Sequence, residues 1–299
     1  MTRVVLLDGG MGQELIARSS APPSPLWSAR VMMDEPHLVE SVHRDYFEAG
    51  AKVLTLNSYS ATPERLARDA SEELFEPLQA KAIEIARSVA GNGKQAIAGC
   101  LPPLFASYKP ELVPDEETCL STYRRIVGEQ KDAVDVFKCE TLSCVREIRA
   151  AVRAAVESGK PVWCSMSVRD GDGTLLRSGE TLADGVEAAK HEGASAVLIN
   201  CSWPESVSQG LPVLKASGLP FGAFANGFTS IDALNAGGTV DVLEARTDLG
   251  PDQYADHALG WVEAGATIVG GCCEVGPAHI SKLAERLSAA GHELVGNLP

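Results

Sequence analysis

The chain has 299 residues, enough for one large α/β domain or two small ones, and its 45% hydrophobic and 22% charged residues are those of an ordinary globule. A formal net charge of -14 argues against nucleic acid or anionic membrane as a partner and suits cationic small molecules. No apolar run approaches the roughly 20 residues of a membrane span, and "MTRVVLLDGG" is too short and too weakly basic for a signal peptide, so a cytoplasmic protein is expected.

Apolar runs rich in β-branched residues alternate with helical patterns along the chain. "VVLLDGG" (4–10) comes first, followed by a long connection over 11–35 and a helix in "EPHLVESVHRDYFEAG" that ends at Gly50, a natural C-cap. "KVLTLNSY" (52–59) precedes "SEELFEPLQAKAIEIARSVAG", where Pro77 marks a kink or boundary. "AIAGCLPP" (96–103) leads to "PDEETCLSTYRRIVGEQKDA", with acids at its helix N-terminus, and "VDVFKCETL" (134–142) to "CVREIRAAVRAAVESG". "PVWCSMSVR" (161–169), "AVLINCS" (196–202) and "PFGAFANG" (220–227) alternate with "TLADGVEAAKHEGA" and "PESVSQGLPVLKASG". A second long connection (226–250), "PDQYADHALGWVEAGA", "TIVGGCC" (267–273) and "PAHISKLAERLSAAG" complete the chain. Most strand runs are continuously apolar, as in a parallel sheet covered on both faces. The pattern predicts a single α/β domain over 1–299, a (β/α)8 TIM barrel. An open doubly wound sheet is the alternative, but the chain has neither GxGxxG nor GxxxxGK[ST].

The eight cysteines fall into groups. An intracellular chain of this size argues against a disulfide framework. Cys100, Cys139 and Cys164 lie in or beside apolar runs and read as core thiols, while Cys119 and Cys144 lie in helical patterns. Cys201 ends one strand in "NCS", and Cys272 and Cys273 end another in "GGCC". A barrel gathers its C-terminal strand ends at one face, so these three thiols are expected to meet there as a soft zinc site with one open position. Adjacent side chains point to opposite faces of a strand, so both thiols reach one metal only if the backbone leaves extended geometry; Gly270 and Gly271 permit that, and Pro277 then opens a helix. Core packing and a strained vicinal disulfide are the competing readings.

With these residues in view, the chain resembles the homocysteine S-methyltransferase family. The resemblance runs through "LLDGGMGQEL", "LWSA" (26–29), "H..Y..AGA" from His43, "CETL" (139–142), "DGT" (172–174), "NCS" (200–202) and "GGCC....HI" (271–280). It implies a zinc-dependent barrel that methylates the thiol of homocysteine, with Cys201, Cys272 and Cys273 as Zn2+ ligands. It also implies Asp8 and Glu140 as partners of the substrate ammonium; both acids end strands and face the same mouth. The N–H groups of Gly9, Gly10 and Met11 are expected to receive the substrate carboxylate. The chain departs from the family pattern in "NSYS" after strand two, in "ANGFTS" after strand seven, where Ala225 and Phe228 replace proline and glutamate, and in "EVG" with Glu274 after the cysteines.

A zinc-bound thiolate needs no protein general base, so the expected chemistry is an in-line displacement on an activated methyl group. Tyr59, Trp203 and Phe228 follow strands and are candidates for the side facing a cationic donor. The chain ends at Pro299, about one helix after the cysteine pair, which resembles the compact branch using sulfonium donors such as S-methylmethionine, as a monomer or weak dimer. A thioether also leaves more easily than a tertiary amine. A betaine-type donor, a related thiol or selenol acceptor, and a zinc-holding or redox-sensing barrel without catalysis are the alternatives. Retention of Asp8 and Glu140 argues against the last of these.

Overall fold

The structure, a computed structural model, describes residues 2–91 and 95–297; Pro299 lies outside them. In chain order its strands are β1 (Arg3–Leu6), β2 (Val53–Thr55), β3 (Ala96–Leu101), β4 (Val136–Leu142), β5 (Val162–Met166), β6 (Val168–Arg169), β7 (Asp172–Leu176), β8 (Ala196–Asn200), β9 (Phe221–Phe224), β10 (Ile268–Val269) and β11 (Glu293–Val295). The helices are α1 (Met11–Arg18), α2 (Trp27–Asp34), α3 (Pro36–Glu48), α4 (Pro63–Asp69), α5 (Phe75–Ala90), α6 (Glu116–Gln130), α7 (Val145–Val156), α8 (Leu182–His191), α9 (Pro204–Ala216), α10 (Pro251–Glu263) and α11 (Pro277–Ala289).

Parallel pairing runs from β2 through β3, β4, β5, β8, β9 and β10 to β1. A parallel bridge from Leu7 to Val53 joins β1 back to β2 and closes the (β/α)8 barrel. Each expected apolar run supplies one of these strands. Short β11 adds beside the start of β1, pairing Arg3 with Glu293. Alternation sorts the side chains: Val5, Leu7, Val53, Val136, Leu198 and Ile268 fill the barrel, while Val4, Leu6, Phe137 and Ile199 pack under the helices.

Three segments differ from the sequence expectation. The 11–35 connection carries two helices, α1 and α2, and α4 follows β2 with Thr62 capping it through a bond from the Arg65 N–H. "PVWCSMSVR" is not one strand: β5 stops at Met166, and β6 folds back on β7 as an antiparallel hairpin. Pro77 neither kinks nor divides its helix, because it sits in the first turn of α5, where its missing N–H costs no helical bond.

Candidate active site

Cys201 follows β8 directly, and Cys272 and Cys273 follow β10 after two glycines. Their Sγ atoms lie within 4.8 Å of one another. Sγ of Cys201 is 2.9 Å from that of Cys272 and 3.7 Å from that of Cys273. The vicinal pair converges because the chain turns: Val275 N–H bonds to the Cys272 carbonyl at 3.1 Å, with Glu274 at a left-handed φ of 63°. Ladder-like bonds pin this turn between neighbouring strand ends, Gly271 N–H to Asp8 O at 3.0 Å and Cys272 N–H to Ala225 O at 3.0 Å. Gly271 serves close approach, not an unusual φ: a Cβ there would lie 2.2 Å from Val275 Cγ1. The left-handed residue expected among the glycines is Glu274, after the pair.

Cys201 is itself left-handed, with φ 48°. Its carbonyl accepts from Ser167 Oγ at 3.3 Å and from Arg177 Nη2 at 3.4 Å, so the residues at the two ends of the β6–β7 hairpin buttress it. The Tyr108 hydroxyl and Cys201 Sγ share a hydrogen bond of 2.8 Å. Burial raises the Cys201 pKa, but the bonds from Cys272, Cys273 and Tyr108 outweigh it and favour a thiolate there. The same shared charge pushes the Cys272 and Cys273 thiols up. Three convergent soft donors, of which Cys201 is the one favoured as a thiolate, fit a metal such as zinc. Zn–S bonds of about 2.3 Å in a tetrahedron imply an edge of roughly 3.8 Å; the Cys201–Cys273 separation of 3.7 Å matches it, whereas the 2.9 Å between Cys201 and Cys272 is shorter and would have to open.

The cysteines share one cavity with Asp8, Thr55, Lys138 and Glu140. Asp8 is buried and accepts from Thr55 N–H at 2.6 Å and Thr55 Oγ1 at 2.9 Å. Glu140 is buried too, accepting from Cys100 Sγ at 3.1 Å and paired with Lys138 Nζ at 3.4 Å. Beside them, α1 begins at Met11 with no side-chain cap, so its first N–H groups face the cavity without an intrahelical acceptor. All five left-handed non-glycine residues among those described stand at this mouth: Trp27, Tyr108, Thr141 and Cys201 line the cavity, and Glu274 follows Cys273. Strained backbone of this kind gathers at functional sites. A larger open groove between α9 and α10, lined by Leu211, His257 and Trp261, lies away from the cysteines.

A family model described as homocysteine S-methyltransferase matches residues 5–287. The chain belongs to the homocysteine S-methyltransferase family. It is 32% identical to homocysteine S-methyltransferase of Escherichia coli strain K12, covering 95% of each chain. It is 28% identical to selenocysteine Se-methyltransferase of Brassica oleracea, covering 94% of this chain and 88% of that one. The metallated crystal structure of the E. coli homocysteine methyltransferase MmuM matches with a TM-score of 0.79 at 30% identity, over 95% of this chain and 96% of the other.

Within this methyltransferase barrel, Asp8, Gly9, Gly10, Met11, Glu140 and Tyr59 all line the cavity with the cysteines. Gly10 departs from its expected use, since its N–H is already bonded to Val275 O at 3.0 Å. Among the described residues the Gly9 and Met11 N–H groups have no backbone acceptor outside the helix. Trp203 and Phe228 do not line the cavity. Trp203 caps α9, with its N–H on Asp170 Oδ1 at 3.0 Å, and Phe228 is buried beside a bridge to Ala245. The aromatic wall is instead Trp27, Tyr59, Tyr108 and Phe224, with Trp27 stacked on Tyr59 at 6.3 Å. Cys100, expected as a plain core thiol, is a donor to Glu140. Lys138 had a readable signal, since it lies two residues before Glu140 on one strand and so on the same face. Tyr108 had none, because it sits in a loop whose path only the fold sets.

Proposed function

We propose that the chain is a zinc-dependent homocysteine S-methyltransferase that takes its methyl group from a small sulfonium such as S-methylmethionine and yields methionine. One observation carries the reading: three convergent thiols face two buried carboxylates across a single cavity. The thiols alone would suit a metal store, which has no use for an amino-acid pocket. Cys201, Cys272 and Cys273 would hold zinc, which when bound favours the deprotonated acceptor thiol. Asp8 and Glu140 would accept from the substrate ammonium, and the free N–H groups at the start of α1 would receive its carboxylate. Tyr108 keeps a hydrogen bond on Cys201 and so fixes that sulfur's direction.

The reaction forms a bond from methyl carbon to the homocysteine sulfur and breaks the donor's carbon–sulfur bond. The donor sulfur departs with the electron pair as a neutral thioether, and the thiol proton is lost to solvent. The protein's share is alignment of sulfur, methyl and leaving group. Trp27 and Tyr59 offer aromatic faces to a cationic donor, although the Arg65 guanidinium already lies 5.4 Å from the Tyr59 centroid. We read the chain as one such domain of the cytoplasm, working as a monomer or weak dimer; no helix among the described residues is long and apolar enough to cross a membrane. The test is a donor panel with homocysteine, scored for methionine. S-methylmethionine is expected to give a higher kcat/KM than glycine betaine. A higher value for betaine reverses the donor, and no methionine from any donor overturns the reaction. Selenocysteine in place of homocysteine tests the selenol acceptor.

A further inference from the structure

The barrel interior carries a cation beside the two acids. Alternation along β4 puts Val136, Lys138 and Glu140 on one inner face, rising toward the mouth. Lys138 is 4% exposed and lines the same cavity as Asp8, Glu140 and the cysteines. Its Nζ donates to Thr55 Oγ1 at 2.9 Å, pairs with Glu140 Oε2 at 3.4 Å and lies 4.7 Å from the Phe224 ring centroid. Thr55 Oγ1 in turn donates to Asp8 Oδ1, so Asp8, Thr55, Lys138 and Glu140 form one connected chain of polar contacts. Burial alone would lower the lysine pKa, but Glu140 and Asp8 together outweigh it and hold the ammonium charged.

Two buried carboxylates facing a cavity without a cation would depend on the ligand to neutralise them. Such a site strongly rejects an analogue that lacks the ammonium, because the carboxylates are then left buried and unpaired. Here Glu140 keeps a charged partner whether or not the ligand brings one. We propose that Lys138 supplies from within the pocket part of the positive charge otherwise required of the acceptor's α-ammonium, so that the protein also accepts ω-mercapto carboxylic acids with no amino group, such as 4-mercaptobutanoate. This deepens the proposed function and rests on it. The reaction balances as for homocysteine: the acceptor sulfur gains the methyl group and loses its proton, the donor leaves as a thioether, and the product is 4-(methylsulfanyl)butanoate. Homocysteine remains the better ligand, because Asp8 and Glu140 still lose hydrogen bonds when the ammonium is missing.

The experiment is isothermal titration of the zinc-loaded protein with homocysteine and with 4-mercaptobutanoate, in the wild type and in Lys138→Met and Lys138→Gln. Binding needs no methyl donor, so the result does not depend on the donor's identity. In the wild type, with Glu140 still paired to Lys138 and one charged bond lost at Asp8, 4-mercaptobutanoate is expected to bind about ten- to 150-fold more weakly than homocysteine, and loss of Lys138 is expected to widen the gap at least about tenfold further. A gap that stays the same in a folded variant overturns the proposal, as does a wild type that binds homocysteine but not 4-mercaptobutanoate. The wild-type comparison stands even if both variants fail to fold. A wild type that binds no homocysteine brings down the acceptor reading itself, which is a distinguishable result.

Discussion

Asp8→Asn is the sharpest perturbation of the proposed acceptor pocket. Both Asp8 oxygens are already fixed by Thr55, one by its N–H at 2.6 Å and one by its hydroxyl at 2.9 Å, so the carboxylate is aimed before any ligand arrives. Each oxygen keeps a further lone pair for the cavity. Asparagine of the same shape can keep its oxygen on the Thr55 N–H, which leaves its NH2 where a carboxylate oxygen stood. The hydroxyl of Thr55 can turn to accept from that NH2, so the fold tolerates the change. A substrate ammonium, however, meets a donor in place of a charged acceptor. Loss of one charged hydrogen bond costs about 1.5–3 kcal/mol, or about ten- to 150-fold in KM for homocysteine. Zinc content should not change, since among the described residues the Asp8 carboxylate is hydrogen-bonded to Thr55 and to no cysteine. Steady-state kinetics over a homocysteine range, with metal content by mass spectrometry, measures both. Unchanged KM and kcat with full metal would show that the amino group is held elsewhere. A drop in kcat alone would place Asp8 in the chemistry and not in binding.

Cys201→Ser, Cys272→Ser and Cys273→Ser are each expected to lose bound zinc sharply and to abolish transfer, because each removes one of three convergent thiols; full occupancy in all three ends the zinc-ligand assignment. Trp27→Ala should raise KM for the methyl donor and Trp203→Ala should leave it unchanged, since only Trp27 lines the cavity; equal effects would contradict this division. Glu147 is buried behind the barrel, and burial pushes its carboxyl up to about 7 despite bonds from Ser143. The folded state therefore holds a proton that the unfolded chain releases near 4.5, so stability is full at low pH and falls as pH rises to about 7. Glu147→Gln should remove that slope, on the order of 3 kcal/mol by pH 8, and melting curves at pH 5 and pH 8 that fall equally in both proteins would refute it.

The barrel was legible because its strands are buried on both faces. "VVLL", "AVLIN" and "TIV" read as unbroken apolar runs, a pattern that a parallel sheet under helices produces and an exposed hairpin does not. The additions at the mouth were not legible. Helices α1 and α2 have eight residues each and flank the proline-rich stretch 19–25, and α4 has seven. Helices so short do not stand alone in water, and packing on the barrel makes them, so sequence periodicity carries little of their signal. Strand β6, the first arm of the hairpin, hides at the end of the run "PVWCSMSVR", which shows no break between Met166 and Val168 beyond Ser167.

The site divides along the same physical line. Cysteine is a specific ligand type, and three of them at strand ends determined a meeting place from topology alone. Trp203 and Phe228 also follow strands, yet they turn away, because the residue after a strand is aimed by the loop and not by the sheet. Lys138 is the opposite case. Its position inside a strand fixed its direction through the alternation that places Glu140, so the pattern was enough to place it although it was not among the expected site residues. The five left-handed residues carry the argument one step further. A non-glycine residue held there is strained, and Trp27, Tyr108, Thr141, Cys201 and Glu274 share no sequence feature that announces it. They share only the mouth. The strain persists because the surrounding bonds over-determine it: Cys201 by Ser167, Arg177 and Tyr108, and Thr141 by its N–H on Asn200 Oδ1 at 2.8 Å and by Asn200 Nδ2 on its hydroxyl at 2.9 Å. Relaxing any of these residues would swing a cavity wall or a sulfur away from the others. The rigid barrel below is thus what allows three thiols and two carboxylates to be held facing one another before a ligand arrives.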